Sequence, residues 1–512
     1  MIEGFATPEG TCAYEEQHRV LNYSELNSTG ILVSQAGFGC YRLDPRVKEH
    51  EDSLRKSLLS GVNLIDTSSN YGDGGSEELV GAVLEDLITT GDINRDSMVV
   101  VSKVGYLQGQ NYQLSQERKK QGIAFNDLVL YADGLEHCIH PEFINDQLTR
   151  SLGRLKLDTL DFYLLHNPEY YLSWAGKTGL PLEEARKEYY SRIEQAFRYL
   201  ETEVEKGRIK FYGISSNTLP SPASESEFTS LETVWEIAES ISSGHHFRLI
   251  QFPMNILETG AVTEKNQATG QSVLEFARDK KLGTLINRPL NAIGHNKLFR
   301  LAEVKATQGA SEKEITDFIN GLIHSEERLN DKILPHLDLS ATTQSQVMEQ
   351  LATGAVMKQH WQSFGTYERW QELQEYYFFP RIKGVFDFLK QQRVLAEEIS
   401  SWVDSHQEKV EALLEAVGSS YREEAAKRCA QLKKQLSSVD MDWAQATTLS
   451  QMAIGALRST AGITTVLVGM RREDYVEDVL EELARTVEKK ERTDSWNELE
   501  NMIDLNTPSQ LG

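Results

Sequence analysis

The sequence is short of positive charge, of clustered cysteine and of long apolar runs, and each shortage argues against a class of protein. Fifty-three basic side chains stand against 77 acidic ones, for a net charge of −24. Nucleic-acid binding needs cationic surface against phosphate, so this balance opposes it, and it opposes docking on anionic membranes too. The four cysteines, Cys12, Cys40, Cys138 and Cys429, are far apart and form no CxxC pair. Free thiols in a reducing, cytoplasmic compartment are the expectation. No run of about 18 apolar residues occurs, so no spanning helix is expected. The opening Met1-Ile-Glu-Gly-Phe-Ala-Thr-Pro-Glu-Gly10 is neither a basic-then-apolar signal nor an Arg-rich transit peptide. A repeat period and a low-complexity linker are also missing.

What is present is alternation. At 512 residues the chain suits one large barrel with an insertion, or two domains. Apolar runs at 36–40, 62–65, 98–103, 160–166, 209–214, 247–252, 282–287 and 464–468 read as strands. Helical spacing lies between them, as in Leu79, Val80, Val83, Leu84 and Leu87. Short, near-continuously apolar strands, each followed by a helix, indicate parallel pairing. Their number closes an α/β fold of the (β/α)8 TIM-barrel type, with the loops after the strands forming the functional face. An open doubly wound sheet is the rival, and it would be favoured by a dinucleotide turn that Gly37-Phe-Gly39 does not supply.

The barrel is expected over 31–291 and 447–485, after an N-terminal hairpin region at 1–30 with 19–22 and 30–34 as arms. A long polar loop is expected after the third strand. Residues 292–446 read as an inserted α-helical subdomain, and 486–512 as a C-terminal tail. Within the insertion Leu395, Ile399, Trp402, Val410, Leu413 and Val417 keep helical spacing, after an aromatic punctuation at Tyr376-Tyr-Phe-Phe-Pro380.

The chain is organised around Leu64-Ile-Asp-Thr-Ser-Ser-Asn-Tyr-Gly72. Asp66 falls at a strand end and Tyr71 just before a glycine-rich turn. Gly72, Gly74 and Gly75 make neither GxGxxG nor a P-loop, and the turn reads as a route into a helix capped by Ser76. Alone, the pair reads equally well as a capping Asp and a loop Tyr. In a barrel, however, Asp66, Lys103 and His166 end the second, third and fourth strands, and all converge with Tyr71 on one face. A phenol has a free pKa of about 10. Lys103 is expected to lower it, with Asp66 holding the ammonium charged, while His166 can hydrogen-bond a substrate oxygen. Tyr41, Tyr106 and Tyr170, with Tyr171 and Trp174, fall in loops that would rim a substrate pocket. His137-Cys-Ile-His140 lacks a fourth partner at ligand spacing, so no metal is expected.

Several motifs then occur in a telling order: Gly37-Phe-Gly39, Asp66-Thr-Ser68, Tyr71-Gly-Asp73, Ser76-Glu77, Ser102-Lys103, the run from Ser151 to Pro168, Gly213-Ile-Ser-Ser-Asn217, Gln251 and Val468-Gly-Met-Arg471. Together they resemble the aldo-keto reductase superfamily over about 20–292 and 446–485. The resemblance implies an NAD(P)-dependent oxidoreductase that moves a hydride between a nicotinamide and the carbon of a small carbonyl, alcohol or sugar substrate. It implies a catalytic tetrad of Asp66, Tyr71, Lys103 and His166, with Tyr71 as the proton donor in reduction. It also implies cofactor contacts at Gly39, Cys40, Ser215, Ser216, Asn217, Gln251, Asn287, Arg288, Pro289, Leu290, Gly469, Arg471, Arg472, Tyr475 and Asp478.

Some of these positions depart from the family pattern. Ser216 stands where Asn is common, and Asn287-Arg-Pro-Leu290 where Tyr-Ser-Pro-Leu is frequent. Asp478 replaces Glu, and Tyr475 replaces Gln or Arg. Arg471 and Arg472 suit a 2′-phosphate, which favours NADP(H) over NAD(H). A reading of another class is a regulatory or scaffolding subunit on the same fold, acting through the insertion as potassium-channel beta subunits and the modifier subunit of glutamate–cysteine ligase do. The retained tetrad favours the enzyme. The insertion at 292–446 is a candidate surface for a protein partner or self-association, or a wall beside the cofactor, although self-packing of its helices accounts for its apolar stripes.

Overall fold

A computed structural model describes residues 1–294, 297–305 and 307–503. Eight parallel strands close into a barrel in chain order: β1 (Ala36–Gly39), β2 (Leu64–Asp66), β3 (Val99–Val104), β4 (Leu160–His166), β5 (Ile209–Ser215), β6 (Phe247–Pro253), β7 (Gly283–Asn287) and β8 (Thr465–Val468). Their ends lie within a residue or two of the expected ones. Helices cover the outer face and side chains fill the inner one, so a strand such as β3 is buried throughout and shows no polar alternation.

The register decides what meets at the strand ends. Gly39 pairs with Asp66, Lys103 with Leu164, and Ser215 with both His166 and Gln251. At the other end, Leu26, Ile31 and Val33 join Leu64, Val99 and Phe162 in one apolar cluster. They come from or flank an antiparallel hairpin of Tyr23–Glu25 and Leu32–Ser34.

Several expectations are corrected. The first hairpin arm is 23–25, not 19–22. Residues Pro8–Gln17 are a helix, with Pro8 at its first turn and Thr7 Oγ1 accepting the Gly10 N–H at 2.9 Å. The stretch after β3 is no open loop. It holds a helix, Gly109–Lys120, and an antiparallel sheet of Tyr106–Leu107, Leu135–His137 and Val129–Ala132. Ser76 does not cap its helix, Gly75–Thr90. Gly74, at φ 94°, occupies that position, and Ser76 Oγ instead contacts the Cys40 carbonyl at 3.2 Å and Thr67 Oγ1 at 2.9 Å.

Among the described residues the chain forms two compact units, 1–290 with 436–503, and 291–435. The second is not purely helical, because it opens on an antiparallel pair, Asn291–Gly294 with Lys297–Arg300. Its helices are Glu312–Arg328, Ala341–Leu351, Thr353–His360, Tyr367–Leu373, Phe379–Lys390 and Ala396–Val439. They collect Ile315, Leu322, Leu351, Trp370, Phe386, Trp402 and Leu413 into an apolar core. The aromatic stretch at 376–380 does not interrupt the chain, since a π-helical turn, Gln374–Phe378, leads straight into the next helix. In the barrel unit, the expected tail contains a helix, Thr493–Met502, whose buried Trp496 ring lies 4.8 Å from that of Trp443. Residues 504–512 of that tail lie outside the described residues. Among the described residues no helix is long and apolar enough to cross a membrane.

Candidate active site

Alternation along the strands sets a polar layer above the apolar one. Leu64, Val101, Leu164 and Leu249 belong to the barrel core, and two residues further along the same strands stand Asp66, Lys103, His166 and Gln251. Lys103 Nζ donates to Asp66 Oδ2 at 2.8 Å, to the Thr67 carbonyl at 2.9 Å and to the Tyr71 hydroxyl at 3.1 Å. These three acceptors occupy all three ammonium protons. Asp66 Oδ1 accepts from Gln251 Nε2 at 2.8 Å, and Gln251 Oε1 accepts from Ser215 Oγ at 3.0 Å.

Tyr71 reaches this group because the chain reverses just after it, with Gly72 and Asp73 at φ 57° and 56°. Its ring centroid lies 4.7 Å from Lys103 Nζ. The His166 ring stands edge-on to Tyr71 at 5.9 Å and to Tyr106 at 4.8 Å. His166 Nδ1 is 3.1 Å from Ser68 Oγ, which donates to Asn70 Oδ1 at 2.6 Å. The Asn70 amide therefore selects the tautomer. Its oxygen facing Ser68 puts the ring proton on Nδ1, and its NH2 there puts the proton on Nε2.

Burial dominates the electrostatics. It pushes the Tyr71 phenol up to about 12, against the downward pull of Lys103. Lys103 pulls the phenol down as expected, but the net shift is upward, because desolvating a phenolate costs more than the neighbouring ammonium returns. Burial also raises Asp66, with Lys103 and Gln251 opposing. For Lys103 burial acts downward, but Asp66 and Tyr71 outweigh it and hold the ammonium above its ordinary value. Burial, then Lys103 and His137, drive His166 well below its usual range, so its imidazole is neutral near pH 7. At rest the site is a neutral phenol and a neutral imidazole around one buried ion pair.

The other expected residues separate into groups. Gly39 and Cys40 follow β1 beside Asp66, and Cys40 N–H donates to the Asp66 carbonyl at 2.9 Å. Ser215 joins the network through Gln251. The Ser216 side chain instead turns into a buried hydroxyl cluster with Thr218 at 3.2 Å and Thr229 at 3.4 Å. Asn217 is exposed, and its N–H donates to Glu169 Oε1 at 2.8 Å.

At the end of β7, Asn287 carries a buried Oδ1 with no hydrogen-bond partner. Arg288 pairs with Glu258 at 2.7 Å, and Pro289 and Leu290 follow. Gly469, after β8, has open space where a β-carbon would stand. Arg471 acts electrostatically on His50. Arg472 forks onto Asp474 at 3.0 and 3.2 Å and lies over the Tyr475 ring at 5.3 Å. Asp478 accepts from Thr448 Oγ1 at 3.2 Å and Ser450 Oγ at 2.6 Å, at the start of the helix Leu449–Arg458.

Among the pocket candidates, Tyr41 is 66% exposed and meets Tyr71 edge-on at 5.3 Å. Tyr106 lies on a strand, not a loop. It is buried, and its hydroxyl accepts from Asn167 Nδ2 at 2.6 Å. Tyr170 opens a helix, Tyr170–Thr178, that also carries Tyr171 and Trp174. It meets Tyr106 at 5.2 Å and stacks on Tyr131 at 4.2 Å. His137 and His140 have separate structural partners. His137 Nε2 donates to the His166 carbonyl at 2.7 Å, and His140 Nδ1 accepts the Glu142 N–H at 3.2 Å to cap a helix. Among the described residues no three His, Cys, Asp or Glu side chains are grouped to hold a metal ion. Asn70, Tyr131 and Glu169 are neighbours that sequence reasoning missed, and Ser68 and His137 are named there without this role. Ser68 and Asn70 lie inside the organising stretch and carried a signal, whereas the burial of Glu169 did not.

Known proteins with similar sequences can now be set beside this geometry. The model of the Aldo/keto reductase family matches residues 37–304. Aldo-keto reductase YhdN of Bacillus subtilis (strain 168) is 24% identical over 275 residues, 52% of this chain and 61% of that protein. The NADH-specific methylglyoxal reductase of Escherichia coli (strain K12) is 31% identical over 152 residues, 28% of this chain and 40% of that one. The NADPH-dependent D-xylose reductase of Meyerozyma guilliermondii is 27% identical over 197 residues, 37% of this chain and 51% of that one. The chain spans about half the length of these curated relatives. With more than half of its length matched by the family model, the chain belongs to the aldo/keto reductase family.

Proposed function

We propose that the protein is a nicotinamide-nucleotide-dependent oxidoreductase that reduces small aldehydes or ketones and oxidises the corresponding alcohols in reverse. The observation that carries this reading is the Lys103 ammonium, bonded at once to Asp66 at 2.8 Å and to the Tyr71 hydroxyl at 3.1 Å. When bound, the nicotinamide supplies the hydride.

The chain's own residues handle the proton. Tyr71 keeps its proton until negative charge develops on the substrate oxygen, then donates it as a general acid. Lys103 stabilises the phenolate left behind, and Asp66 keeps the ammonium charged and oriented. With the Asn70 amide turned so that its NH2 faces Ser68, His166 carries its proton on Nε2 and donates a second hydrogen bond to the same oxygen.

The surrounding residues fit such a cofactor. Glu169 Oε2, Asn287 Oδ1 and Arg288 Nε are buried polar atoms without partners at or beyond the ends of β4 and β7, and Gly469 leaves room for close backbone approach. Ser215, Gln251 and Asn287 would hold the carboxamide. Arg471, with Arg472 once released from Asp474, would hold a 2′-phosphate, which favours NADP(H) over NAD(H). Relatives named for NADH and for NADPH agree with a nicotinamide nucleotide without choosing between them.

The test is Tyr71→Phe. NADPH binding, read by fluorescence titration, should persist while turnover on an aldehyde and ketone panel falls by about 10²–10⁴-fold. Near-normal turnover in the variant would remove Tyr71 from the acid role, and no nucleotide binding by the normal protein would remove the reading itself.

A further inference from the structure

Glu169 lies three residues beyond His166, and it is 3% exposed. Its Oε1 accepts the Asn217 N–H at 2.8 Å, while Oε2 is buried and completes no hydrogen bond. An unpartnered buried carboxylate oxygen is costly and requires an explanation. The titratable groups that face it are the phenols of Tyr106, of Tyr170 on its helix and of Tyr189 on the helix Leu182–Glu205, with the Glu227 carboxyl ahead of the helix Leu231–Ile241. None of these four is a cation. Burial accordingly pushes the Glu169 carboxyl up to about 7, with backbone N–H groups and the Ser216 hydroxyl opposing.

The N–H it holds belongs to the turn after β5, and that turn is tied to the reactive centre. Asn167 N–H donates to the Ser215 carbonyl at 2.7 Å, and Ser216 N–H donates to the Gln251 carbonyl at 3.0 Å. The Ser215 hydroxyl bonds to Gln251, which bonds to Asp66. A displacement of this turn is therefore passed to Ser215 and Gln251, the side chains assigned above to the carboxamide.

We propose that Glu169 is a positioning residue whose carboxylate clamps the Ser215–Asn217 turn, and whose protonation loosens that turn and weakens the nicotinamide-nucleotide site. The nucleotide part rests on the function proposed above. The clamp part stands on the geometry alone.

The physical chemistry gives it an unusual signature. A charge-assisted N–H···O⁻ bond is roughly twice as strong as a neutral one, so the clamp tightens as pH rises through about 7. The contribution of Glu169 to overall stability runs the other way. Its folded pKa lies above its unfolded one of about 4.5, so that contribution is present at low pH and lost as pH climbs to about 7. A merely structural carboxyl would share these two trends, and the parallel change in nucleotide affinity is what separates a positioning role from it.

The experiment uses the full chain with Glu169→Gln and Glu169→Ala. Three quantities are followed from about pH 6 to about pH 8: hydrogen exchange of the Asn217 amide corrected for intrinsic rate, thermal unfolding, and NADH binding by fluorescence. In the normal protein, protection at Asn217 should rise about fivefold and NADH affinity should rise with it, while the melting temperature falls. Glu169→Gln keeps a neutral acceptor, so all three Glu169-dependent trends should flatten, with Asn217 protected as in the acid form of the normal protein. Glu169→Ala should lose that protection at every pH. An unchanged exchange profile in Glu169→Gln, or normal protection in Glu169→Ala, would overturn the clamp. Failure of the normal protein to bind NADPH as well as NADH, with the exchange profile as expected, would instead overturn the functional reading and leave the clamp standing.

Discussion

Each unit buries a histidine, and the two are held in nearly the same way. His166 Nδ1 lies 3.1 Å from Ser68 Oγ, and His406 Nδ1 lies 2.9 Å from Ser325 Oγ. Both rings pack on aromatics, His406 being stacked on Trp402 at 4.5 Å. Burial lowers both, His406 to about 4. The carboxylates repeat the pattern. Glu169 accepts the Asn217 N–H and Glu326 accepts the Gly354 N–H at 2.9 Å, and burial pushes each up to about 7.

What differs is the company. Lys103, Tyr71 and, through them, Asp66 surround His166, whereas Phe386, Trp402 and one serine pack against His406, with the Lys409 ammonium acting beside burial to lower it. Glu326 holds the start of the helix Thr353–His360, which is a structural task. A buried imidazole or a raised carboxyl therefore identifies no site by itself. Titratable groups within reach of one another do.

The contrast should break most visibly at Lys103. Lys103→Met should lower turnover by about 10³-fold or more. It should also destabilise the barrel by about 3–5 kcal/mol, because Asp66 is left buried and uncompensated. Steady-state kinetics and urea unfolding read the two effects, and turnover within tenfold of normal would take Lys103 out of the proton chemistry.

In the insertion the largest effect should be apolar. Trp370 is fully buried, with its ring 5.6 Å from Phe364 and 6.0 Å from Tyr421. Trp370→Ala should cost about 3–5 kcal/mol in the unfolding of that unit, and a change below about 1 kcal/mol would show that its core does not depend on this ring.

The histidines sharpen the comparison further. His166→Gln should reduce kcat by about 10²-fold. His406→Gln should leave kcat unchanged and cost about 1–2 kcal/mol of stability, so equal kcat losses in the two variants would erase the distinction.

The effect at Glu326 emerges only with pH. Its folded pKa of about 7 exceeds its ordinary 4.5, so its contribution to stability fades as pH rises between those values. Glu326→Gln should therefore gain about 1–3 kcal/mol on the normal protein at alkaline pH and little near pH 4.5. A pH-independent difference in melting temperature would contradict this.

The barrel is legible in the sequence because strands buried on both faces must be continuously apolar. Val99-Val-Val101 and Phe162-Tyr-Leu-Leu165 meet that condition whatever lies around them. Asp66, Lys103 and His166 are legible because motif order assigns them to successive strand ends, where the two-residue period aims them inward, and Tyr71 because it stands just before the glycine-rich turn. Other features depend on contacts that spacing does not encode. Tyr106 and Leu107 pair with His137 and Glu136 across a long polar stretch. The direction of the Tyr71 shift depends on how much solvent is excluded, not on how near Lys103 stands. Glu169 reads as one more glutamate after Asn167-Pro168 until its burial is known. The helix Pro8–Gln17 is a different case, since Thr7-Pro8 is a readable start signal.

Gly105 joins β3 to the strand Tyr106–Leu107, and its carbonyl accepts the Cys138 N–H at 2.8 Å. A methyl group on Gly105 would stand 2.5 Å from both His137 Nε2 and the His166 carbonyl oxygen. The small sheet is thus seated against the fourth strand through a joint with no slack. For recombination with relatives, residues 106–137 behave as a cartridge with a fixed socket. The turn at Asp133-Gly134, between the two paired strands, can be recut, whereas Gly105, His137 and His166 have to be exchanged as a set.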